Sequence, residues 1–141
     1  MPEINKVFRR IRNAPLYIKE DGSISSAVYL DDRGVSVDID DNRNMDTIIE
    51  DEERLHIFYN GKKIEEDPEG PYKLLAIAAI DKANCDEKEI YIELAPIKDE
   101  NDFHAILKGS ETKVRLSPSQ RKHLARTSAI IKSYDGKIAS A

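Results

Sequence analysis

Two alternating segments of this 141-residue chain carry side chains able to do acid–base chemistry: Val35-Ser36-Val37-Asp38-Ile39 and Phe103-His104-Ala105-Ile106-Leu107. Successive side chains of a strand point to opposite faces. Ser36 and Asp38 therefore fall opposite Val35, Val37 and Ile39, and His104 falls opposite Phe103, Ala105 and Leu107. If the two strands are neighbours, a hydroxyl, a carboxylate and an imidazole share one face. An imidazole in that setting can act as a general base, oriented by the hydroxyl or the carboxylate. The competing expectation is a core imidazole whose nitrogens are satisfied by hydrogen bonds beneath a helix.

Other chemistry finds little support. Asp38, Asp40 and Asn42 are spaced like the first ligands of a calcium loop. Arg43 then stands where such a loop needs glycine, and Ile49 where it needs a bidentate Glu. The stretch reads as a solvated acidic loop. No paired-cysteine or His-x-x-x-His zinc pattern occurs, and the six glycines are too dispersed for a phosphate loop. Cys85, the single cysteine, is flanked by Asp86 and Glu87, which oppose a reactive thiolate, and it can form no internal disulfide. No metal or cofactor is expected. His123 reads as a surface residue of a basic helix, and His56 as a strand residue pointing away from Leu55 and Ile57.

These residues need a scaffold, and composition bounds it. Apolar residues make up 40% and charged residues 35%, with a net charge of -5. That suits one domain with a real core, expected over residues 1–136 with a frayed tail at 137–141. No window approaches the roughly 18 apolar residues of a membrane span, and the N-terminus lacks an apolar signal segment. The expected setting is cytoplasmic. Charge is uneven along the chain. Residues 1–20 hold five bases against two acids, residues 31–69 fourteen acids against five bases, and residues 108–141 eight bases against two acids. The basic ends can neutralise the acidic middle within the fold, or they can form a patch for nucleic acid or an acidic partner.

Pattern predicts the elements. Residues 4–11 form a strand or a short helix. Ile24–Leu30 and Val35–Ile39 alternate and are joined by a short Asp/Gly turn, which predicts an antiparallel hairpin. Residues 44–53 read as a short acidic helix or loop. Leu55–Tyr59 then reads as a strand entering a hairpin at Asn60-Gly61. The apolar run 73–80 is a strand or a buried helix, 90–94 a strand and 103–108 another. Ser117, Pro118 and Gln120 form a capping box, opening an amphipathic helix that runs to Gly136. The expected architecture is α+β: a mainly antiparallel sheet of roughly five to six strands with the C-terminal amphipathic helix packed on one face.

The order of short motifs resembles a family of small bacterial proteins to which no activity is attached. The likeness rests on Phe8-Arg9-Arg10-Ile11, Ser25-Ser26-Ala27-Val28-Tyr29, Gly34-Val35-Ser36-Val37-Asp38, His104-Ala105-Ile106-Leu107 and a closing helix with Arg121-Lys122-His123-Leu124-Ala125. The acidic segment 40–69 and Asp102-Phe103 depart from that pattern. The resemblance implies no substrate or cofactor, but it singles out Arg10, Ser26, Ser36, Asp38 and His104. Three functions follow as expectations. The first is an accessory or regulatory partner of a larger protein, using the basic ends or the acidic segment as contact surface. The second is an enzyme acting on a nucleotide or RNA phosphate, with Arg10 and Ser26 binding the substrate, His104 moving a proton and Ser36 or Asp38 orienting it. The third is direct nucleic-acid binding through the basic C-terminal helix.

Overall fold

The computed structural model describes residues 2–138. Six strands form one antiparallel sheet: β1 (Lys6–Arg12), β2 (Val35–Ile39), β3 (Leu74–Asp81), β4 (Tyr91–Leu94), β5 (His104–Lys108) and β6 (Ala129–Ser133), in the order β4-β5-β2-β1-β3-β6. Three helices connect them: α1 (Met45–Glu66), α2 (Lys82–Glu87) and α3 (Pro118–Thr127). The fold is α+β, as the strand patterning implies.

Alternation along the strands divides the core between the two faces. Val7, Ile11, Val35, Val37, Ile39, Ala76, Ala78, Ile80, Ala105 and Leu107 meet Cys85 of α2 and Leu124 of α3 in the larger core. Phe8, Ile77 and Ala79 meet Ile48 of α1 on the opposite face. A helix therefore lies on each side of the sheet. On the first side the predicted capping box opens α3: Ser117 Oγ accepts from the Gln120 N–H, and Gln120 Oε1 accepts from the Ser117 N–H. The Gln120 amide then donates to the carbonyls of Lys88 and Gly109, fixing α3 over the ends of two strands.

Several local expectations give way to tertiary packing. Residues 24–30 do not form a strand. Ser25 caps a 3-10 helix over Ser26–Tyr29 that buries Val28 and Tyr29 together. Two adjacent residues on one apolar side are incompatible with strand alternation. The predicted partner of β2 in a hairpin is therefore absent, and β2 instead lies between β1 and β5. Leu55–Tyr59 and Asn60-Gly61 belong to the 22-residue α1, which places Ile48, Glu52, Leu55 and His56 on one buried stripe. The spacing i, i+4, i+7, i+8 outweighs the local turn signal. The last helix stops at Thr127, because Ser128 is extended and Ala129–Ser133 add the edge strand β6. Ile138, expected in the frayed tail, is buried against the larger core; residues 139–141 lie outside the described residues.

The two remaining histidines are structural. His123 is buried, correcting its surface assignment, and its Nε2–H donates to the Asn84 carbonyl of α2. His56 donates from Nε2 to the Tyr72 carbonyl, and burial lowers its pKa. The turn into β2 is equally constrained. Gly34 has φ +93°, and a Cβ there would lie 2.3 Å from Ile106 Cγ2. Gly34→Ala should lower the unfolding free energy by about 1–2 kcal/mol from backbone strain alone, with the clash added. Urea denaturation of the two proteins checks this; equal midpoints would refute it.

Candidate functional site

The face under α1 carries the polar residues. Asp38 pairs in register with His104 across β2 and β5, and with Phe8 across β2 and β1. Ser36 pairs with Ile106, so Ser36 and His104 are diagonal neighbours on one face. Their side chains meet: Ser36 Oγ lies 2.7 Å from His104 Nε2. The other ring nitrogen, Nδ1, lies 2.8 Å from the Ala95 carbonyl oxygen, which can only accept. In the neutral imidazole Nδ1 thus carries the hydrogen, and the Ser36 hydroxyl donates to Nε2. The result is a hydroxyl–imidazole–carbonyl chain whose serine end is exposed.

Beside it lies a buried charge cluster. Arg10 Nη1 donates to Asp38 Oδ2 at 3.2 Å and to Glu52 Oε2 at 3.3 Å. Asp38 Oδ1 accepts from the amide of buried Asn101 at 2.6 Å. Asn101 in turn receives the Phe103 N–H, so the loop before β5 is tied to this carboxylate. Glu52 is 1% exposed, and its Oε1 has no hydrogen-bond partner among the described residues. Burial, followed by the adjacent Asp38 carboxylate, pushes the Glu52 pKa well above its ordinary 4.5. Two carboxyls thus crowd one guanidinium, and of the pair Glu52 is the one whose proton is held more tightly than usual.

Strands β1 and β2 are in register only at Val7–Ile39 and Phe8–Asp38. Beyond that point the Arg9 guanidinium reaches across, with Nη1 donating to the Ser36 carbonyl and Nη2 to that of Val28. A hollow of about 50 Å³ remains, lined by Arg9, Arg10, Ser36, Asp38, Glu52 and His104 among others. It suits one or two water molecules at about 30 Å³ each. Four of the five residues singled out by sequence, Arg10, Ser36, Asp38 and His104, therefore border one small space. Ser26 does not. It lies on the 3-10 helix and lines a separate groove against α3.

Glu52 and Asn101 escape the sequence reading. Glu52 is legible only once α1 is extended through 55–66, where an acid interrupts the apolar stripe of Ile48 and Leu55. Asn101 sits in a loop with no pattern to mark it. Cys85 is buried and its thiol is pushed up to about 12, chiefly by burial, which removes it as a nucleophile at neutral pH. Among the described residues no helix is long and apolar enough to cross a membrane. No family model matches the chain, and neither the curated proteins nor the solved structures compared with it give a match.

The raised pKa of Glu52 has a signed consequence. The folded state holds its proton more tightly than the unfolded state, so stability is complete below about pH 4.5 and declines as pH rises toward the raised value. Glu52→Gln, which keeps the shape of the protonated acid, should be more stable than the parent by about 1 kcal/mol or more at pH 8. The two should be equal at pH 4. Thermal melts across this range decide it; a glutamine variant that is weaker at every pH would show that Glu52 is ionised.

Proposed function

We propose that the chain is a non-catalytic binding domain, an accessory or regulatory partner that docks on a larger cytoplasmic protein through the outer face of α1. The observation that carries this reading is the exposure of Ile57 and Phe58, at 64% and 62%, on the helix side turned away from the sheet. The inner side of α1 already buries Ile48, Leu55 and His56. The helix is thus apolar on two faces, and only one has a counterpart in the fold. Gly61, one turn after Ile57, leaves the flank of that side chain open. Glycine inside a helix costs about 1 kcal/mol relative to alanine, and here it makes a notch that an incoming chain can fill. α1 as a whole carries seven acids against three bases, two of which, Arg54 and Lys62, stand one turn either side of Phe58. The net negative charge of the helix favours a partner whose contact surface carries Lys or Arg.

A photo-crosslinking residue at position 58 should capture one discrete protein in cells, and Ile57→Asp should abolish that capture without changing the melting temperature. The same crosslinker at Leu16, an exposed leucine outside α1, is the control. Identical products from both positions, or capture that survives Ile57→Asp, would sink the docking reading.

The Ser36–His104 contact favours one second reading, reaction at a phosphate or acyl group. In that case the Ser36 hydroxyl attacks while His104 Nε2 takes its proton. Such a reaction needs donors aimed at the developing oxyanion. Arg10, the cation beside the pair, already serves Asp38 and Glu52, and the hollow has no room for a nucleotide. This leaves the binding reading in front. A fluorophosphonate probe should therefore leave Ser36 unlabelled, and a nucleotide and RNA panel should show no turnover that His104→Ala removes. Labelling of Ser36 that requires His104 would reverse the order of the two readings.

A further inference from the structure

A groove of about 570 Å³ lies away from α1, between the 3-10 helix and α3. That falls within the range of small-molecule sites, about 300–1,000 Å³. Lys19, Lys122 and Arg126 line it, and no carboxylate does. The distribution runs against the composition, because the chain has 27 acidic residues to place and a net charge of -5. None of the three cations makes an ion pair with a carboxylate among the described residues, although the charge of Lys19 reaches Asp21 and helps lower its pKa. Lys122 and Arg126 are also four residues apart on α3, a like-charge spacing that costs a helix a few tenths of a kcal/mol. Ser25 and Ser26 add hydroxyls to the wall, and Ile24, Ala125 and Ile130 make an aliphatic surface.

We propose that this groove binds a small phosphate monoester with an aliphatic body, the three cations and the Ser26 hydroxyl holding the phosphate while Ile24, Ala125 and Ile130 hold the hydrocarbon. Phosphate is favoured because at neutral pH it carries nearly two charges and three acceptor oxygens, matching several converging donors. A carboxylate would leave cations unmatched. A nucleic-acid strand fits less well, because the lining has no aromatic ring on which a base can stack. The proposal gives Ser26 a place that the site under α1 does not.

Titration calorimetry on the full chain tests it with hexyl phosphate, inorganic phosphate, hexanol and a 12-nucleotide single strand as probes. Hexyl phosphate should bind one per chain and at least tenfold tighter than inorganic phosphate, and hexanol should not bind. Lys122→Glu and Arg126→Glu, both at exposed positions, should each weaken hexyl phosphate at least tenfold while leaving the melting temperature unchanged. Ile57→Asp, across the sheet, should leave binding intact. Equal affinity for hexyl and inorganic phosphate would reduce the groove to a site of adventitious ion contact and overturn the proposal. So would indifference to both charge reversals, or an oligonucleotide that binds tighter than hexyl phosphate with an affinity that falls steeply with salt.

Discussion

One guanidinium held between two buried carboxyls ties the sheet to the helix above it. Arg10 comes from β1, Asp38 from β2 and Glu52 from α1, so three separate elements are joined at a single charge. Burying an ion without its partner costs several kcal/mol. A slide of α1 by one turn would strip Arg10 of Glu52 and present a different residue to Asp38, so the cluster selects one seating of a helix that makes few other contacts with the sheet. The second carboxyl is accommodated by holding its proton more tightly than an exposed glutamate does. Glu52 Oε1 is left unpartnered among the described residues, and the raised pKa of this acid makes the joint between helix and sheet sensitive to rising pH.

The same cluster explains why Ser36 and His104 stand where they do. Asp38 anchors the loop before β5 through Asn101, and that loop delivers both the Phe103 N–H and the start of the strand bearing His104. Arg43, stacked 3.7 Å from the Phe103 ring and paired with Asp51 of α1, closes the other side. The imidazole is thereby positioned from both of its nitrogens while its serine partner stays in water. Order of this kind is necessary for catalysis but equally typical of a cross-strand polar pair; the difference lies in what faces the hydroxyl. Here the neighbouring cation is already engaged by Asp38 and Glu52.

Legibility in the sequence followed how local the deciding interaction is. The strands 35–39, 90–94 and 103–108 and the start of α3 at Ser117 were readable because a period of two, or a four-residue cap, carries its own signal. That alternation also set Ser36 and Asp38 apart from the apolar face of one strand and His104 from that of another, and the β2–β5 pairing then brought the three to one side. Leu55–Tyr59 misled because β-branched and aromatic residues followed by Asn60-Gly61 satisfy every short-range criterion for a hairpin. Only the longer stripe from Ile48 to His56 reveals the helix. Ala129–Ser133 misled in the opposite sense, since a well-capped helix precedes it and only pairing with β3 converts the segment to a strand. Glu52 was hidden by the first of these errors, because its meaning depends on which face of a helix it occupies.

The two surfaces proposed for function differ in the physics that makes them conspicuous. On α1 the anomaly is hydrophobic: Ile57 and Phe58 sit in water on an acidic helix, where the acids of the helix keep the chain soluble but give the apolar pair nothing to pack against. In the groove beside α3 the feature is electrostatic: three cations and no carboxylate line it in a chain rich in carboxylates. Because the sheet separates them, occupancy of one surface should leave affinity at the other unchanged unless binding shifts the sheet itself. The shared element is β1, whose Arg10 reaches toward α1 while Arg9 reaches the Val28 carbonyl of the 3-10 helix that walls the groove. If the two sites communicate, the coupling must pass through that pair of adjacent arginines, and Arg9→Lys, which keeps the charge but loses the forked contact to Ser36 and Val28, is the change that would sever it.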